Sequence, residues 1–214
     1  MKPVLLVLCA ALAACLYLVG LALDLFWLKL LTKPWPVLAL AAAVWRLAGT
    51  DRLIAWGLMA GAVGDICLAL PHAFLPGMIA FAIGHGLYVA AFLQWNRTPA
   101  PVLLAPVILY TGTGLWLMLP GAGALTLPLT IYVLGIAAMI WRAAACALAS
   151  RANPLLRWGP LAGALLFGLS DTLIGIHRFA QPLPGAAFAI ILTYWAAQAL
   201  FAATAIERKR QLAT

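Results

Sequence analysis

Eight apolar runs separated by short polar punctuation make up nearly all of this sequence, at about 3–23, 34–48, 53–70, 75–95, 100–119, 124–148, 155–176 and 183–206. A helix needs about 20 apolar residues to cross the hydrocarbon core of a bilayer, and most of these runs supply them. The second is short for a crossing, so it either tilts little or begins earlier than residue 34. Gly and Pro interrupt several runs, which is tolerated where neighbouring helices resatisfy the backbone. The pattern predicts an all-α integral membrane protein, a bundle of eight transmembrane helices forming one polytopic domain over residues 1–214.

Composition excludes the soluble alternative. The chain is 66% hydrophobic and 8% charged, whereas soluble domains are roughly 45–50% apolar and about 25% charged. Met1-Lys2 and the apolar run after them resemble a signal peptide, and Leu12-Ala13-Ala14-Cys15 resembles a lipoprotein cleavage box. The run continues through Leu16 to Leu23, however, so an uncleaved first helix is expected. Cys9, Cys15, Cys67 and Cys146 all lie in apolar stretches without metal-ligand or redox spacing, so neither a disulfide framework nor a zinc site is expected.

The net charge of +8 changes the picture through its distribution. With the N-terminus inside, Lys2, Arg46, Arg52, Arg97, Arg142, Arg151, Arg157, Arg208, Lys209 and Arg210 fall on the cytoplasmic side. Only Lys29, Lys33 and Arg178 fall opposite. That asymmetry is the positive-inside rule, so no nucleic-acid partner is needed to explain the charge. Both termini are expected in the cytoplasm, which agrees with an even number of crossings. The expected location is a bacterial inner membrane.

Residues 64–88 and 170–194 echo one another: Asp65 precedes Tyr88 by the same interval as Asp171 precedes Tyr194. Small shifts align Phe74 with Phe179, Gly77 with Gly185 and Phe81 with Phe188. Each copy is a helix pair, and corresponding helices lie four spans apart, so they run in the same direction. The echo predicts two parallel four-helix repeats related by an axis along the membrane normal. Asp65 and Asp171 should then lie at similar depth, close together in the outer half.

Five acids exist in the chain. Asp51 and Glu207 sit at cytoplasmic helix ends, and Asp24 ends the first helix on the far side. Asp65 and Asp171 lie well inside spans, where a carboxylate costs several kcal/mol and usually marks function. The plainer alternative is a carboxylate that pins two helices together. Gly57, Gly61 and Gly64 form a small-residue stripe beside Asp65, which suits close helix packing. Gly168, Asp171 and Gly175 share one helix face. Phe81, His85, Tyr88 and Phe92 form an aromatic face with one imidazole, and Tyr194 and Gln198 are one turn apart. His72 and His177 lie at helix ends and do not complete a metal-ligand pattern with His85, so no metal is expected. Lys29, Lys33 and Arg178, on the same side as the two acids, suit a phosphate headgroup at the mouth of an apolar cleft. Ordinary snorkelling to the interface explains them equally well.

At these residues the chain resembles the YhhN-like family of membrane proteins, the lysoplasmalogenases. The resemblance rests on Lys33-Pro34, LMAGAVGDICL (58–68), FAIGHGLYVAAF (81–92), LLFGLSDTLIG (165–175) and ILTYWAAQAL (191–200), in that order along essentially the whole chain. It implies hydrolysis of the vinyl ether bond of lysoplasmalogens to a fatty aldehyde and glycerophosphoethanolamine or glycerophosphocholine. On that reading Asp65 and Asp171 are the catalytic pair. Lys33, His85, Tyr88, Arg178, Tyr194 and Gln198 line the binding site for a lysophospholipid, and membrane lipids surround the protein. The reaction needs a carboxylic acid to protonate an alkene carbon and a carboxylate to stabilise the resulting cation and activate water. No metal or organic cofactor is required. Buried carboxylates, repeats and Gly-broken helices also describe a proton-coupled transporter or lipid carrier, which remains the alternative.

Overall fold

A computed structural model describes residues 3–49, 52–150 and 153–213, with side chains from Leu6 onward. Lys2, Asp51 and Arg151, placed above at cytoplasmic ends, lie outside the described residues. The order is α1 (Pro3–Ala22), α2 (Phe26–Thr32), α3 (Trp35–Leu47), α4 (Arg52–Ala69), α5 (Phe74–Trp95), α6 (Leu104–Met118), α7 (Thr126–Ala149), α8 (Pro154–Gly175) and α9 (Ala186–Leu212). Among the described residues there is no strand. The chain is an all-helical, multi-pass integral membrane protein.

Among the described residues six helical stretches are long and apolar enough to cross a membrane, namely Arg52–Ala69, Phe74–Trp95, Pro101–Gly121, Gly123–Ala149, Pro154–Ala180 and Ala186–Leu212. The first two apolar runs of the sequence correspond to α1 and to α3. The latter has 13 residues and is therefore only about 20 Å long. Of the two expected alternatives the earlier start is the one seen, as the separate short helix α2 ahead of residue 34. The helix already runs from Phe26, and the break falls at Lys33-Pro34 because proline supplies no amide hydrogen. At its other end the last helix continues past the apolar run, through Arg208, Lys209 and Arg210, to Leu212.

The chain divides into two compact units, residues 1–87 with 202–214, and residues 88–201. In the first unit α3 packs against both α1 and α4. The glycine stripe on α4 does what its spacing predicts. A Cβ on Gly64 would stand 2.6 Å from the Phe81 ring, and one on Gly84 would stand 3.3 Å from the Gly57 carbonyl oxygen. The result is a close α4–α5 contact with Asp65 buried beside it. Trp45 near the end of α3 and Trp56 near the start of α4 meet edge to face at 5.5 Å, and the Arg52 guanidinium lies over Trp45.

In the second unit α7 packs against α6 and α8. Beyond Gly175 the α8 helix widens into a π-helical turn, Ile176–Ala180. Gly175 lacks a side chain where the Met118 thioether packs. Met118, Ala122, Leu129 and Val133 form a small apolar cluster at this end, with Phe179 against it. The echoed positions are not all equivalent: Phe81 is buried while Phe188 is exposed, and Gly77 lies within α5 while Gly185 precedes α9 with φ 72°.

Arg142, read from the sequence as a positive-inside charge, is 3% exposed. Its guanidinium donates to the carbonyl oxygens of Asn96 and Thr98, while the Asn96 amide donates to the Ala145 carbonyl at 3.0 Å and the Trp141 indole to the Ala100 carbonyl at 2.9 Å. These bonds tie the α5–α6 connection to α7. Charged hydrogen bonds are worth about 1.5–3 kcal/mol, so Arg142→Ala should lower stability by at least that much. Thermal unfolding in detergent will read the loss, and an unchanged midpoint would make the clamp dispensable.

Candidate functional site

The first unit builds its site at the junction of α2 and α3. Pro34 ends the α2 ladder, and that break sets Lys33 on the flank of α4. Its ammonium lies 3.4 Å from Asp65 Oδ1, with side-chain exposures of 15% and 2%. Tyr17, buried on α1, is near enough to interact with the Asp65 charge. His85 is fully enclosed on α5.

Lys29, Lys33 and Arg178 therefore do different things. Lys33 is mostly withdrawn from solvent against a buried carboxylate. Lys29 makes an exposed pair with Asp24 at 2.5 Å in the loop after α1, and that ammonium holds the Asp24 carboxyl below its ordinary range. Asp24 itself adopts φ 52°, a left-handed conformation that Asp tolerates better than most residues. Arg178 is exposed in the π-helical turn, two turns beyond Asp171.

The second unit places Asp171 on the buried face of α8, 7% exposed. The Tyr132 hydroxyl of α7 donates to its Oδ2 at 2.8 Å. Around it the Tyr110 hydroxyl lies 2.9 Å from the Gly168 carbonyl, to which it donates, and 2.6 Å from the Thr172 hydroxyl. Ser170 donates to the Ile190 carbonyl of α9 at 3.0 Å. These bonds fix the rotation of α8 and hence the direction of the Asp171 side chain. Tyr88 donates to Gln198 Oε1 at 2.6 Å. The Tyr88 ring packs against Phe167 and Phe201, and Tyr194 meets Phe167 edge to face at 5.4 Å.

The sequence-predicted residues thus fall into two groups. Lys33, Asp65 and His85 belong to the first unit, the first two in contact. Tyr88, Asp171, Arg178, Tyr194 and Gln198 belong to the second, where Tyr88 and Gln198 are joined. Tyr132, Tyr17 and Tyr110 were missed. Their signal was present: a phenol inside an apolar span needs a partner for its hydroxyl. Spacing along one helix says nothing about partners on another. Among the described residues no three His, Cys, Asp or Glu side chains gather in a metal-binding group.

Fold and site together define a polytopic helical membrane protein with, among the described residues, one buried aspartate in each unit, Asp65 paired with Lys33 and Asp171 accepting from Tyr132. The chain belongs to the YhhN family, which it matches over residues 28–205. It is 41% identical to lysoplasmalogenase TMEM86B of Homo sapiens over 187 residues, which is 86% of this chain and 77% of that protein. It is 42% identical to the Sus scrofa lysoplasmalogenase TMEM86B, covering 81% and 74% of the two chains. The lysoplasmalogenase of Mycobacterium tuberculosis is 33% identical over 78% of this chain and 66% of that protein. No solved structure matches the chain.

Proposed function

We propose that this protein is a membrane hydrolase that cleaves the vinyl ether bond of lysoplasmalogens, releasing a fatty aldehyde and glycerophosphoethanolamine or glycerophosphocholine. The observation that carries the reading is its 41–42% identity to proteins named lysoplasmalogenase over more than four-fifths of the chain. Two aspartates buried in spanning helices, each kept in place by a defined partner, agree with it.

Asp171, whose Oδ2 accepts from a neutral phenol, is the acid in this reading. Its other oxygen delivers a proton to the outer alkene carbon, and the electron pair of the ether oxygen completes an oxocarbenium ion. Asp65, beside an ammonium, is the carboxylate that opposes this cation and takes a proton from the attacking water. The resulting hemiacetal collapses to the aldehyde and a free glycerol hydroxyl, so water is consumed and no redox partner is needed. The division of labour is that of paired carboxylates in glycoside hydrolysis. Lys33 and Arg178 receive the phosphate, and His85, Tyr88, Tyr194 and Gln198 shape the site. The wider frame of this proposal is one domain of eight crossings, two parallel repeats and cytoplasmic termini in a bacterial inner membrane.

Purified protein in detergent, given a lysoplasmenyl lipid, should release one aldehyde per lipid consumed. Transport needs two compartments, so turnover without a membrane favours the enzyme over a carrier. If proton transfer to carbon limits the rate, turnover should also be clearly slower in D₂O. Intact lipid after prolonged incubation with folded protein would refute the hydrolase.

A further inference from the structure

We infer that a groove on the first unit between α1 and α2–α3 holds the hydrocarbon chain of the lysolipid. The inference rests on the proposed function for the identity of the lipid, and on the structure for the place. The groove encloses about 530 Å³ and is lined by Cys9, Ala13 and Leu16 on one wall and Thr32, Ala39 and Ala42 on the other. Its wall is apolar, and the one hydroxyl in it is already given to the Leu28 carbonyl. Such a surface offers a polar ligand very little.

Position supplies the second argument. A Cβ at Gly20 would touch Leu28, so the end of α1 lies against α2, and α1 and α3 run antiparallel along the groove. Leu16 and Thr32 therefore mark one end. Thr32 is followed by Lys33, which reaches Asp65 through its ion pair, and Leu16 by Tyr17, which lies within range of the Asp65 charge. From there the α1 wall extends from Leu16 back to Leu6, about 15 Å at 1.5 Å per residue. In a lysoplasmalogen one glycerol carries both the phosphate and the vinyl ether. With the phosphate at Lys33, the ether falls beside Asp65 and the chain runs down the groove.

Burial alone does not choose this occupant, because bilayer tails are as apolar as the groove. The anionic headgroup at Lys33 does. Cys9 and Leu12 are exposed along the rim, so the chain enters sideways from the lipid.

Two measurements test this. Ala42→Phe fills the far end of the groove and Ala39→Phe fills it one turn nearer to Lys33. Both should lower the long-chain to short-chain ratio of kcat/KM, Ala39→Phe more. The expected fall is about threefold or more, modest because displaced methylenes move into lipid or detergent rather than water. The second measurement needs no turnover and no change at the site. A saturated 1-alkyl lysophosphatidylethanolamine, which has no vinyl ether, should slow alkylation of Cys9 by N-ethylmaleimide and leave Cys15 unaffected. Unchanged chain preference in both variants, or equal protection of Cys9 by a monoalkylglycerol lacking phosphate, would make the groove an ordinary lipid contact and overturn the inference. Selective Cys9 protection without hydrolysis of any alkenyl lipid would uphold the groove and defeat the hydrolase reading instead.

Discussion

Asp65→Asn and Asp171→Asn should each lower turnover by about 10²–10⁴-fold, the usual worth of positioned general acid–base catalysis, in protein that still folds and extracts. Asn nearly preserves shape, and at Asp171 its amide oxygen can still accept from Tyr132. What it cannot do is give a proton to carbon or oppose a cation with charge. The losses should not multiply in the double variant, since groups that act as a unit are not additive. Initial rates of aldehyde release, with a thermal unfolding control, check this. Near wild-type turnover in either variant would make that aspartate a packing residue and end the paired-acid mechanism.

Lys33→Ala should have the second-largest effect, and on stability as well as on activity. The ammonium is mostly withdrawn from solvent and its partner carboxylate almost wholly so. Removing one member of a buried pair costs about 3–5 kcal/mol, because the remaining charge loses its compensation. Turnover should fall together with affinity, since the same ammonium orients Asp65 and meets the phosphate. The double variant Lys33→Ala/Asp65→Asn, in which neither charge remains, should recover most of the lost stability and none of the activity. Unfolding midpoints of the two single variants and the double will show it. A double variant no more stable than Lys33→Ala alone would mean that the 3.4 Å contact carries little energy.

The membrane-spanning helical character of this protein was legible in the sequence because it is a one-dimensional property. Run length and hydropathy decide whether a helix can live in lipid, and a sparse acid in such a run is costly wherever its helix points. That reasoning located Asp65 and Asp171 without any partner in view. It also located the stripe of Gly57, Gly61 and Gly64, since a helix face is fixed by residue spacing alone.

The contacts that give those residues their setting were decided only by the tertiary structure. Lys33 meets Asp65 because Pro34 breaks a helix that apolarity alone started too late, and Tyr132 meets Asp171 because α7 packs on α8. Each pairing spans more than thirty residues of sequence, and no periodicity along one helix reports which neighbour it will face. Arg142 shows the same limit from the other side. Its charge fitted the rule for cytoplasmic loops, yet its guanidinium is enclosed and bonded to backbone carbonyls between α5 and α6. Hydropathy fixes the cost of placing a polar group in or near the bilayer, whereas packing between helices fixes which donor or acceptor offsets that cost.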